Sequence, residues 1–161
     1  MKYKSKFFFM VLIICFLFPI QTLAKKEQQM EQQPMVFSQV LDKAKMNTKW
    51  KTAFATAKHA QIVFMNITPD TNPKNEIGME KHPFDQVILV VEGDGKTVLD
   101  GKTTIVHAGD MIFIPQGTNH NVINTNDNKP LKILSFYSSN DIKANSNYDK
   151  NSDEPHEEGH K

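Results

Sequence analysis

From Gln61 to Tyr137 the apolar positions come in short runs: "QIVFMNI", "QVILVVE", "KTVLD", "TTIVH", "MIFIP", "NHNVINT" and "LKILSFY". They are rich in Val, Ile, Phe and Thr. Turn residues punctuate them in "EGDGK", "LDGKT", "HAGDM" and "TNDNKP", the pattern of strands joined by tight reversals. Strands this short at this spacing predict an all-β antiparallel sandwich or barrel. A helical turn is expected around "FSQVLDKAK", and Trp50 reads as core or lid packing.

Both ends of the chain have another character. Lys2, Lys4 and Lys6 precede an apolar run from Phe7 to Ile20, which is followed by "TLA". This is the layout of an export signal over residues 1–24, with cleavage after Ala24. The run is short for a membrane span and leads into the polar "KKEQQMEQQ", so no membrane partner is expected after cleavage; an uncleaved anchor is the alternative. The expected localisation is periplasmic or secreted. Residues 25–46 read as a polar linker, 47–138 as one domain and 139–161 as a disordered tail, since "SSNDIKANSNYDKNSDEPHEEGHK" offers few apolar side chains to offset its ordering entropy. His156 and His160 belong to that tail.

Composition narrows the function. The sole cysteine, Cys15, lies in the signal, so neither disulfide nor thiol chemistry is central to the mature protein. All 19 basic residues of the full chain are lysines, and its net charge is +1. Without arginine, and near neutrality, the chain lacks a nucleic-acid footprint. It also lacks a Ser-His-Asp pattern, a phosphate-cradling glycine loop and an amphipathic membrane helix.

The most specific stretch is "GDMIFIPQGTNHNVIN", where Gly109, Pro115, Gly117, His120 and Asn124 follow the spacing G-x5-P-x-G-x2-H-x3-N. Gly109 with Asp110 suits a reversal into a strand, and Pro115 with Gly117 suits a second corner that aims His120 inward. Upstream, "EKHPFDQ" places Glu80, His82 and Gln86 where a domain would ordinarily bury uncharged side chains. Residues two apart on a strand share a face, so Glu80 and His82 can point together; Pro83 then bends the chain and can return Gln86 to the same point. The plainer reading of Glu80 is a solvent-facing edge residue, and of Gln86 a cross-strand hydrogen-bonder. His59 and His107 read as surface residues. Gln61 is a candidate to point into the barrel, and Ser135, Phe136 and Tyr137 are candidates to line a pocket.

These residues resemble the cupin superfamily. The second cupin motif is matched throughout, and the spacing of the first, G-x5-H-x-H-x3,4-E-x6-G, falls on Glu80, His82, Gln86 and Gly93. Glu80 replaces the usual first His, Gln86 replaces the usual Glu, and Gly78 is displaced. The resemblance, over residues 47–138, implies an antiparallel double-stranded β-helix, or jelly-roll barrel. It implies a divalent metal ion held by Glu80, His82, Gln86 and His120: two imidazoles, one carboxylate and one amide oxygen. Such a mixed set suits Mn, Fe, Ni, Cu or Zn and leaves positions open for a small-molecule substrate. Related cupins isomerise or cyclise sugars and sugar acids, or oxidise diketones and flavonols with O₂. The resemblance therefore implies either a metal-dependent enzyme (isomerase, lyase or dioxygenase) or a non-catalytic binding module. It also makes a homodimer the expected assembly.

Overall fold

The computed structural model describes residues 33–69 and 75–155, all within a compact unit that begins at Gln33. The expected export signal, the start of the linker, His156 and His160 lie outside the described residues. Helix α1 (Val40–Met46) is followed by β1 (Lys51–Thr56), β2 (Gln61–Ile67), β3 (Gln86–Glu92), β4 (Asp94–Leu99), β5 (Lys102–His107), β6 (Met111–Ile114), β7 (His120–Asn124), β8 (Leu131–Tyr137) and β9 (Asn147–Tyr148). Six strands form one sheet in the order β6-β3-β8-β2-β1-β9, and three form a second in the order β5-β4-β7. Every neighbouring pair is antiparallel.

The two sheets face each other, and their inner faces form the core. Val63, Ile88, Ile112 and Ile133 from the larger sheet pack in one buried cluster with Val106 and Val122 from the smaller. β2 is buried on both faces for a specific reason. Val63, Met65 and Ile67 point inward, whereas Phe64 faces out and is covered, with Val91 and Leu134, by Ala44 of α1. The seven expected strands and the all-β jelly-roll class are therefore observed.

Tight corners hold the strands at these short connections. Gly93 between β3 and β4 has φ +90°, and a Cβ there would stand 2.5 Å from the Pro130 carbonyl oxygen. Only glycine fits.

Two expectations need correction. The helical turn expected around "FSQVLDKAK" is α1, but it buries Ala44 against the sheet, so residues 40–46 are packed on the domain and not part of a linker. More consequentially, the described part of the expected disordered tail is folded onto the barrel. Ile142 is buried; its N–H donates to Gln61 Oε1 at 3.1 Å and its carbonyl accepts from Gln61 Nε2 at 2.6 Å. Further along, Ala53 N–H donates to the Ser146 carbonyl at 3.0 Å, and β9 pairs with β1. A segment poor in apolar residues cannot make its own core, but this one borrows the barrel's: one well-placed isoleucine and a strand edge suffice.

Candidate metal centre

An irregular stretch from Glu76 to His82 runs antiparallel to β7. Ile77 N–H donates to the Val122 carbonyl at 3.0 Å, and Asn121 Nδ2 donates to Glu76 Oε2 at 2.7 Å. Glu80 then meets His120 as a reciprocal pair: Glu80 N–H donates to His120 O at 2.8 Å, and His120 N–H to Glu80 O at 2.9 Å. Directly opposed antiparallel residues carry their side chains on the same face. Two residues on, the His82 carbonyl accepts from Gly117 N–H at 2.8 Å, so the corner made by Gly117 (φ +79°) ties the first motif to the second. The chain bends at Pro83 and Phe84, and the Phe84 ring stacks on His82 at 4.7 Å.

The consequence is a compact donor cluster. Glu80 Oε2 lies 3.3 Å from His82 Nε2 and 3.8 Å from His120 Nε2, and one ligand atom from each residue lies within 4.8 Å of the others. Atoms bound at about 2.0–2.2 Å to one ion sit roughly 3–3.5 Å apart. The cluster is nearly that size.

Polar accounting inside the cluster also fits a cation. His120 Nδ1 lies 2.9 Å from the Thr118 carbonyl, an acceptor, so Nδ1 carries the proton and Nε2 keeps its lone pair. His120 Nε2 and Gln86 Oε1 are buried without a hydrogen-bond partner, and the buried His82 Nε2 meets the Glu80 carboxylate at 3.3 Å. Each such orphan costs about 1–3 kcal/mol. A divalent ion would engage the two imidazole nitrogens together with the Glu80 carboxylate.

Burial pushes the Glu80 carboxyl up, but close His82, the Lys51 ammonium and His120 together outweigh it and hold its pKa below the ordinary carboxylate value. Glu80 is thus an anion at neutral pH. Tyr137 moves the other way: burial first, then the Glu80 charge, push its phenol well above the usual range. It remains neutral beside His82, ring to ring at 5.8 Å.

Gln86, the first residue of β3, stands opposite both Tyr137 and Ile114. It is buried, and its Nε2 donates to Ser135 Oγ at 3.4 Å, which leaves Oε1 free. The structure thus gathers Glu80, His82 and His120, while Gln86 is buried in β3 opposite Tyr137, whose ring lies 5.8 Å from that of His82. Gln61 does point inward, but its amide is consumed in holding Ile142. His59 is exposed, as is His107, which pairs with Asp94 at 2.7 Å. Phe136 faces outward, so it does not line the pocket.

Glu80 and His82 open onto a cavity of about 1120 Å³, and part of its wall is the C-terminal segment: Asp141, Ile142, Tyr148 and Glu154. Lys51 also lines it and binds Glu154. Neither residue carries a motif, and their separation along the chain hides the pairing from any local pattern.

A family model for the cupin domain matches residues 70–137. BH2720 from Bacillus halodurans, a solved structure, is 31% identical; the match covers 74% of this chain and 92% of that one, with a TM-score of 0.68. The chain belongs to the cupin superfamily. Among other matches, uncharacterized protein YrkC of Bacillus subtilis (strain 168) is 38% identical over 101 residues, covering 58% of this chain and 51% of YrkC. Uncharacterized protein L612 of Acanthamoeba polyphaga mimivirus is 30% identical over 96 residues, 57% of this chain and 58% of L612. The chain therefore spans only a little over half the length of those two relatives. Within this cupin, the last residue of the second motif has a structural part: Asn124 Nδ2 donates to the carbonyls of Ile67 at 2.9 Å and Lys129 at 2.8 Å.

Proposed function

We propose that this cupin binds one divalent ion through Glu80, His82, Gln86 and His120 and acts as a metal-dependent enzyme on a small oxygen-rich molecule such as a sugar or sugar acid. The observation that carries the reading is the pair of buried imidazole nitrogens, His82 Nε2 and His120 Nε2, converging on the Glu80 anion. A bound ion would supply Lewis-acid polarisation of substrate oxygens. The chain's own residues supply the rest. Thr118 fixes the His120 tautomer, Phe84 and Tyr137 flank the His82 ring, and the neutral Tyr137 phenol offers a hydrogen bond without competing as an anion. The lysine-led apolar leader supports export to the periplasm or beyond. Met111, Phe113 and Phe136, exposed on the outer face of β6, β3 and β8, support a homodimer.

A second reading, a non-catalytic small-molecule or metal-binding module, is favoured by one feature: Lys51 and Glu154 on the cavity wall are spent on each other, so neither is free to act as an acid or base. Metal analysis of protein purified without added metal tests the site, with His82→Ala/His120→Ala as the control; equal metal in both would end the metal reading. Turnover of sugars and sugar acids, assayed with and without O₂, separates enzyme from binding module. Oxygen consumption would mark a dioxygenase.

A further inference from the structure

Lys51 opens β1 and is only 3% exposed. A lysine is almost never buried so completely without a partner, and here the partner is a carboxylate: Nζ lies 2.7 Å from Glu154 Oε1 and 2.6 Å from Oε2. Both residues line the same cavity as Glu80 and His82. As a stabilising device the pair is poor, because desolvating two charges consumes most of what their attraction returns. The segment also has independent anchors in Ile142 and β9.

Glu154 is the loosely held member. It follows a 3₁₀ turn (Asn151–Asp153) whose link to the opposite wall is Asn151 Nδ2 donating to the Ile77 carbonyl at 3.4 Å. Its side chain is 21% exposed, against 4% for Lys51. Water reaches the carboxylate from one side, so a soluble anion can exchange with it without opening the barrel.

We propose that Lys51 is the anion-recognising residue of the cavity, and that its ammonium takes a carboxylate of the substrate in the seat Glu154 fills here. A molecule whose oxygens face Glu80, His82 and His120 then has its acid group fixed on Lys51, which selects sugar acids and other hydroxy or keto acids over neutral sugars. This deepens the metal-dependent reading and rests on it for the second attachment point, whereas the seat itself can be read alone.

The test uses the full chain, metal-free, titrated with acetate and followed by NMR of the lysine side chains. Glu154→Gln is expected to bind acetate at least tenfold more tightly than wild type, and Lys51→Met/Glu154→Gln to lose that binding. If Glu154→Gln binds no more tightly than wild type, or the double variant binds as Glu154→Gln does, the proposal is overturned. Glu154→Gln leaves the Lys51 ammonium without its carboxylate, the condition under which acetate should bind, whereas the double variant removes both charges and leaves neither unpaired. A parallel titration with Zn²⁺ alone reads the metal centre separately: its failure in wild type would remove the metal reading and leave the acetate result standing.

Discussion

Glu80 and His120 exchange both main-chain hydrogen bonds, at 2.8 and 2.9 Å, and bring their side chains to 3.8 Å. Because the backbone makes the juxtaposition, the side chains are free to spend their polar atoms on something else. Replacing His120 or His82 by Ala should therefore leave the fold intact while lowering metal affinity by at least about 100-fold, more than loss of an outer hydrogen bond typically costs. Glu80→Gln keeps an oxygen but removes the only carboxylate of the cluster, and metal content should fall with it. Full metal content without turnover in that variant would instead assign Glu80 to proton transfer.

Gln86 separates stability from function by sign. Its Oε1 is buried and partnerless, a cost of about 1–3 kcal/mol in metal-free protein. The near-isosteric Gln86→Met removes that cost but also the long 3.4 Å hydrogen bond to Ser135 Oγ, so the metal-free variant should be more stable in urea unfolding by less than that amount, while its metal affinity drops. A variant with lower stability and unchanged affinity would show Gln86 to be a cross-strand hydrogen-bonder only.

How far the sequence could lead depended on the range of each signal. The barrel strands were legible because alternation is local: β3 buries Gln86, Ile88 and Val90 on one face, as its pattern says. The Glu80, His82 and His120 cluster was legible because two short motifs fix the spacing within each half. β1 was not among the expected strands, since its "KTAFAT" contains two alanines, which favour strands little. Lys51 and Glu154 could not be paired from sequence at all. They lie 103 residues apart, and composition alone made the second of them part of a solvated tail.

That tail yields a stability prediction. Ile142 is buried against the barrel and clasped by Gln61 through both its backbone groups. Ile142→Ala should cost about 2–4 kcal/mol in urea unfolding if the segment belongs to the cooperative unit. A loss below about 0.5 kcal/mol, the usual range for surface positions, would show that it docks without stabilising.

The outer face of the large sheet sets Phe113 opposite Val87, and Val87 opposite Phe136, with Met111 beside them. Phe113 is 64% exposed and Met111 67%, an apolar surface that suits a second copy of the chain. Phe113→Lys should turn a dimer into a monomer in sedimentation experiments at equal concentration. If wild type is already monomeric at tens of micromolar, the face has another occupant.

Acid should act on the metal-free protein through Glu80. Its folded pKa lies below the ordinary value because His82, Lys51 and His120 outweigh the burial that opposes them. A carboxyl depressed on folding contributes stability that is present above its unfolded pKa and lost as pH falls through its folded pKa. The stability of wild type relative to Glu80→Gln should therefore be greatest near neutrality and shrink on acidification, through the ordinary carboxylate range and below it. Chemical denaturation of both metal-free proteins across that range checks the sign: a difference that stays flat, or grows as pH falls, would mean that burial and not the neighbouring lysine and histidines governs Glu80.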